Sequence, residues 1–259
     1  MFCTVGMEAF LSNAVQGILR TGIDAGQLVV GCPKNAFGSV KTVTDLPSER
    51  IRTISTQQLS ENEDAMQGYS GFGSPAFNDI SWKKIFFIRK LIEIHPHVIY
   101  ADLDIGWIRN PLHYLSEVAM TYPMAFQTEG LPRFPPALCC GFASFARSER
   151  TIAFLEALIE FNAGQIDSEK RLDDQAACQR LIENDLRWLH DIYCLPEALF
   201  PNGLGYRNLQ NIGERPCAME GELLPFLFHA NWTIGHENKR KLLISTGTWL
   251  LDDIPPASS

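Results

Sequence analysis

Apolar positions in the first hundred residues recur with two different periods, and their alternation predicts the fold class. Phe2-Cys3-Thr4-Val5-Gly6 is a short apolar run closed by glycine and predicts a buried strand. Phe10, Leu11, Ala14, Val15, Ile18 and Leu19 step by three and four, which predicts a helix that Gly22 ends. Leu28-Val29-Val30-Gly31 predicts a second buried strand, and residues 51–54 a third. Strand, helix and strand within about thirty residues form a βαβ unit, which implies parallel pairing.

Residues 68–73, rich in Gly and Ser, predict a loop. Phe77, Ile80, Lys84, Phe87, Leu91 and Ile94 then step by 3, 4, 3, 4 and 3, so a helix over Pro75–Ile94 carries Lys84 on its inward stripe. Val98-Ile99-Tyr100-Ala101 predicts a strand that runs straight into Asp102-Leu103-Asp104. A proline-rich loop follows at 131–136, helices at 152–161 and 176–182, and a late strand at 226–228. A basic helix carries Lys239, Arg240 and Lys241, and residues 255–259 predict a frayed tail. No internal repeat and no linker divides the pattern.

Composition narrows the partners. The 259 residues carry a formal charge of −8, and an acidic surface repels phosphate backbones, so no nucleic acid is expected. Seven cysteines, an odd count with irregular spacing and no CxxC, predict neither a disulfide framework nor a zinc ribbon, but buried reduced thiols. No apolar run approaches the ~18 residues of a membrane span, so no transmembrane segment is expected. The first residues lack the basic start of a signal peptide. The expected location is therefore cytoplasmic, or the Golgi lumen if the sequence has been trimmed.

Candidate chemistry concentrates in two segments. In an extended chain residues i and i+2 point the same way, so Asp102 and Asp104 project together just past a buried strand, where ligands of open α/β sheets sit. Two carboxylates held that close repel unless a cation lies between them, and oxygen ligands suit Mg²⁺ or Mn²⁺ bridging a diphosphate. The bland alternative is one capping aspartate and one solvated one. An aspartyl-phosphate enzyme wants a threonine two residues after the second aspartate, and Gly106 stands there. In the second segment a strand delivers His229, Gly235 permits a tight turn, and Lys239 lies in the first turns of the next helix, placed to meet a diphosphate. His229 would complete a mixed oxygen and nitrogen sphere, which tilts the metal towards Mn²⁺.

These residues resemble the nucleotide-diphospho-sugar transferase family that includes plant cell-wall xylosyl- and arabinosyltransferases. Lys84 lies eighteen residues before Asp102-Leu103-Asp104, which is followed by Trp107-Ile108-Arg109-Asn110-Pro111. Gly141-Phe142, Asp174-Gln175, Phe200-Pro201-Asn202-Gly203 and His229-x-Asn231-Trp232…Gly235…Lys239…Trp249 follow in the family's order, covering nearly the whole chain.

The resemblance implies one α/β domain over 1–259 with the GT-A fold: a mixed, mainly parallel central sheet flanked by helices. A donor-binding part over about 1–110 would precede an acceptor-facing part over about 111–250. It implies a metal-dependent glycosyltransferase that moves a sugar from a nucleotide diphosphate, UDP favoured and GDP possible, to a hydroxyl of a glycan acceptor, with retention. Asp104 and His229 would hold the cation, with Asp102 at the metal or the ribose. Val5, Gly6, Met7 and Asn13 would lie near the base. Lys84, Leu103, Asn231, Gly235 and Lys239 would complete the donor site. Asp174 would bind sugar hydroxyls, and Gln175 would stabilise the anomeric centre.

Other readings stay open. Asp173-Asp174 suits a helix N-cap, and Lys84 suits a lysine reaching past the core to water. Inversion would need a carboxylate base, with Asp174 or Glu197 as candidates. Trp107 and Trp249 are expected in the core and Trp232 at a sugar. A nucleotide-sugar-binding protein without transfer would keep the same metal residues, and a Mg²⁺-dependent phosphotransferase or hydrolase would use only the aspartates. Gly106 departs from the family, which usually has a bulkier residue there.

Overall fold

The computed structural model describes residues 1–45, 50–55, 74–165, 172–206 and 224–251. The predicted loop at 68–73 and the tail at 255–259 lie outside them, as does Cys217. The six described cysteines are free thiols.

Helix α1 spans Glu8–Arg20 and buries Phe10, Leu11, Ala14, Val15 and Ile18, the stripe its spacing predicts. Glu8 in its first turn and Arg20 in its last complement the helix dipole. Helix α2 is Phe37–Asp45, and β1, Val29–Cys32, pairs in parallel with β2, Arg52–Ser55. The predicted first strand is shorter than its apolar run. Only its start pairs, through a parallel bridge from Phe2 to Gly31 and Cys3 N–H donating to Gly31 O at 2.8 Å. Residues 4–7 already turn into α1, with Met7 N–H donating to Thr4 O.

Helix α3 is Pro75–Ile94, with Ser74 Oγ accepting from Phe77 N–H and proline in the first turn, a start suited to a residue with no N–H to donate. Its buried face differs from the predicted stripe at both ends. Trp82, Ile85, Ile88 and Ile92 are inside, whereas Ile94 is 64% exposed. The helix packs against α5, α6 and β3, so its buried surface is wider than a single 3-4 stripe.

The main sheet has the order β3-β6-β5-β7, with β3 at His97–Ala101, β5 at Met124–Thr128, β6 at Leu138–Ala146 and β7 at Ile192–Cys194. Strand β6 runs antiparallel to both neighbours, while β5 and β7 are parallel, which makes the sheet mixed. A short antiparallel pair, β4 at Ile105–Trp107 and β8 at Leu227–His229, lies beside it. Helices α4 (Leu112–Ala119), α5 (Glu149–Ala163), α6 (Asp174–Asn184) and α7 (His236–Ser245) complete the described elements used below.

Two apolar clusters hold these layers. One joins α1, β1, β4, β8 and Leu243 of α7; the other joins α3, α5, α6 and the main sheet. Trp107 and Trp249 pack against the first cluster, as expected, and Trp232 is 43% exposed. Gly106 explains its own departure from the family pattern. A Cβ there would lie 2.2 Å from Cβ of the buried Thr248, so Thr248 fills the space a bulkier residue would take. Among the described residues no helix is long and apolar enough to cross a membrane.

Candidate active site

The chain leaves β3 still paired, with Asp102 N–H donating to Gly141 O at 2.7 Å, and then enters β4. Asp102 and Asp104 are thus fixed by a main-sheet strand on one side and by β4 on the other. On the far side of β4, β8 sets His229 opposite Ile105, and Ala230 N–H donates to Asp104 O. Two distant segments therefore meet because β4 and β8 are hydrogen-bonded neighbours. Ligand atoms of Asp102, Asp104 and His229 all lie within 4.8 Å of one another.

Each member is held by further contacts. His229 Nε2 lies 3.3 Å from Asp104 Oδ1, and Lys239 Nζ lies 2.6 Å from Asp104 Oδ2. Tyr100 donates its hydroxyl to Asp102 Oδ1 at 2.8 Å. Burial and the Asp102 carboxylate push the Tyr100 phenol well up, so it remains a donor. Burial opposes a charged Asp104, but Lys239 and His229 outweigh it and hold its carboxyl well below the usual range. Burial likewise opposes the His229 imidazolium, yet Asp104 outweighs it and lifts the ring well above an ordinary histidine.

The donor set fits a divalent cation, and one glycine keeps the place open. A Cβ at Gly141 would lie 2.6 Å from Asp102 Oδ2 and 3.0 Å from His229 Nε2. The space between the ligand atoms exists because position 141 carries no side chain.

A second set of residues adjoins this one across β6. Lys84 is buried and pairs with Asp174 at 2.5 Å, and its Nζ lies 5.2 Å from the centre of the Tyr100 ring. The lysine is thus buried rather than reaching past the core to water. Burial works against its ammonium, but Asp174 and Asp102 outweigh it and hold it protonated. Asp173, not Asp174, caps α6 by accepting from Ala176 N–H at 2.7 Å. That frees Asp174 for the lysine. Gln175 Oε1 accepts from Cys140 N–H, one residue before Gly141. Lys84, Tyr100, Asp102 and Asp174 therefore form one connected set, next to Gln175 on its anchor at Cys140.

The remaining residues named from sequence are placed as follows. Asn231 is beside the candidate metal cluster but is engaged at both ends of its amide. Its Oδ1 accepts from Gly203 N–H, and its Nδ2 donates to Glu129 Oε1 at 3.3 Å. Gly235, at φ +88°, starts α7 with no side-chain cap. Leu103 has its side chain in the core, which leaves only its backbone for a ligand. Val5, Gly6 and Met7 form the turn before α1, where Val5 and Met7 pack against the core and Gly6 is exposed. Asn13 is buried inside the fold, donating to Thr248 O and accepting from Leu250 N–H.

Sequence reasoning missed Tyr100 and Gln127. Tyr100 lies two residues before Asp102, so the strand period that paired the aspartates also put it on their side. Gln127 is the one amide in an apolar run, with no motif around it.

Known proteins share this fold and sequence family. The chain superposes on mouse xyloside xylosyltransferase 1 in its apo form with a TM-score of 0.56 and 15% identity, covering 90% of this chain and 96% of that one. It superposes on the galactosyltransferase LgtC in complex with donor and acceptor sugar analogues with a TM-score of 0.58 and 10% identity, covering 98% and 96%. These likenesses show the GT-A fold. A UDP-galactose:fucoside alpha-3-galactosyltransferase of Dictyostelium discoideum is 22% identical over 98% of this chain and 43% of its own length. The UDP-D-xylose:L-fucose alpha-1,3-D-xylosyltransferase 3 of Arabidopsis thaliana is 25% identical over 70% of this chain and 50% of its own length. The chain spans about half the length of these curated relatives. The family model for nucleotide-diphospho-sugar transferases matches residues 48–243, well over half of the chain. The chain belongs to the nucleotide-diphospho-sugar transferase family.

Proposed function

We propose that this chain is a metal-dependent glycosyltransferase that moves a sugar from UDP to a hydroxyl of a fucose-bearing glycan, with retention at the anomeric carbon. The observation that carries the reading is the convergence of Asp102, Asp104 and His229 on a space that a side chain at Gly141 would crowd. The mixed carboxylate and imidazole donors favour Mn²⁺ over Mg²⁺. When bound, the cation would neutralise charge developing on the leaving diphosphate. Both relatives named above carry UDP, a fucose acceptor and an alpha linkage in their names. Their donors are themselves alpha-linked to UDP, so an alpha product means retention.

In the reaction the bond between C1 and the diphosphate oxygen breaks and one between C1 and the acceptor oxygen forms. The proton of the acceptor hydroxyl passes to the departing diphosphate. Lys239 and the uncapped first turn of α7, started by Gly235, offer positive charge to that diphosphate. Asp174, aligned by Lys84, binds sugar hydroxyls, and Gln175, fixed on Cys140, faces the anomeric centre. Val5 to Met7 and the Leu103 backbone contribute to the nucleoside side. Asn13 and Asn231 support the site through the backbone they hold.

The test is a transfer assay with UDP-galactose and UDP-xylose against a fucoside acceptor in Mn²⁺. Formation of an alpha-linked disaccharide that disappears in Asp104→Ala supports the proposal. Release of inorganic phosphate without sugar transfer would favour the phosphotransferase or hydrolase reading, and donor binding without turnover the carrier reading.

A further inference from the structure

The geometry points to Gln127 as the positioning residue that fixes the ring of His229 in the tautomer able to ligate a metal. The inference rests on the metal site proposed above. Gln127 lies in β5, fully buried, outside every motif that defines the site. Its Nε2 faces two backbone carbonyls, donating to Phe200 O at 2.9 Å and to Pro201 O at 3.2 Å. Flipping the amide would set its oxygen against both carbonyl oxygens with no proton between them, so the orientation is dictated chemically. Gln127 Oε1 is thereby turned to His229 Nδ1 at 2.7 Å.

An amide oxygen only accepts, so the proton of that hydrogen bond belongs to Nδ1. In the neutral ring the lone pair is then on Nε2. That atom faces Asp104 Oδ1 and the space over Gly141. In the neutral ring a lone pair opposite a carboxylate is unfavourable until a cation lies between them, so Gln127 leaves Nε2 of that ring as the atom that ligates. The neighbouring Cys139 Sγ, 3.7 Å from Nδ1, is the weaker alternative acceptor at the longer distance. The same amide ties β8 to the turn at Phe200-Pro201, because His229 N–H also donates to Pro201 O.

Two variants separate positioning from simple bracing. Gln127→Met removes both the acceptor for His229 and the donors to the two carbonyls. Gln127→Glu keeps an acceptor for Nδ1–H but cannot supply both carbonyl donors. Mn²⁺ affinity is measured by calorimetry and by the EPR signal of free Mn²⁺, with melting curves to confirm folding. If Gln127 sets the tautomer, Gln127→Met weakens Mn²⁺ binding by about 10- to 100-fold and Gln127→Glu restores it to within about threefold of wild type. Wild-type affinity in a folded Gln127→Met overturns the inference, as does a folded Gln127→Glu that binds as weakly as Gln127→Met. Should Gln127→Met not fold, Gln127→Glu against wild type decides by the same threefold criterion. Failure of the wild-type protein itself to bind Mn²⁺ would instead remove the proposed metal site, and this inference with it.

Discussion

Lys239 Nζ lies 2.6 Å from Asp104 Oδ2, so the cation that the sequence assigns to the diphosphate is paired with a carboxylate of the candidate metal site. Asp104 thus has two positively charged neighbours, Lys239 and a readily protonated His229, gathered where a metal would be. An ammonium in that position competes with a divalent ion until a diphosphate draws it away.

Lys239→Ala is therefore expected to act in opposite directions on two measurements. Mn²⁺ binding without nucleotide tightens, by about tenfold, because Asp104 loses its competitor. Transfer falls about 100-fold or more, because the leaving diphosphate loses a positive charge. Calorimetry with Mn²⁺ alone and initial rates with a UDP-sugar check the pair.

Gly141→Ala is expected to abolish Mn²⁺ binding while leaving the protein folded. The added Cβ would stand 2.4 Å from His229 Cε1 and must displace the ring. Circular dichroism alongside Mn²⁺ titration separates this from unfolding. Gly106→Ala makes the contrasting case, since its Cβ meets the side chain of Thr248 and no ligand. It should lower stability by about 1–3 kcal/mol through overpacking, with partial recovery in Gly106→Ala/Thr248→Gly, which removes the Cβ it meets.

Lys84→Met leaves the buried Asp174 without its partner. Breaking a buried pair on one side costs about 3–5 kcal/mol, and Lys84→Met/Asp174→Leu should recover much of it. Urea unfolding of both variants checks this. A single variant as stable as wild type would mean that Asp174 takes a proton at no cost.

The response to pH follows from His229. Its folded-state value is raised, so in metal-free protein its pairing with Asp104 stabilises the fold below the ordinary histidine range, and that contribution is lost as pH rises through the raised value. A metal needs the ring neutral at Nε2, so Mn²⁺ stabilisation has the opposite slope. At fixed Mn²⁺ the gain in melting temperature should grow from about pH 6 to about pH 8, with affinity rising about tenfold per unit while one proton is displaced. A gain that falls with pH would contradict the assignment of His229 as a ligand.

Much of this was readable in the sequence because local periodicity and short motifs carry it. The 3-4 stripe of α1, the strand leading into Asp102 and the segment around His229 are contiguous patterns, and the structure places them as read. What sequence left open depends on contacts between distant elements. Nothing near Lys84 announces Asp174, ninety residues away, as its partner. Nothing near Gln127 announces His229. Ile94 is exposed although its spacing predicts burial, because α3 packs against α5, α6 and β3 and does not bury one straight stripe. Asp173 and Asp174 each suited a cap from sequence, and only the hydrogen bond to Ala176 separates their roles.

The most direct test of the account is a calorimetric titration of UDP and GDP into wild type and Asp104→Ala, each with Mn²⁺ and with EDTA. Micromolar binding of UDP by wild type that is lost both in EDTA and in Asp104→Ala is the predicted result. Binding that persists in EDTA, or no binding of either nucleotide, would contradict a metal and diphosphate site at Asp102, Asp104 and His229.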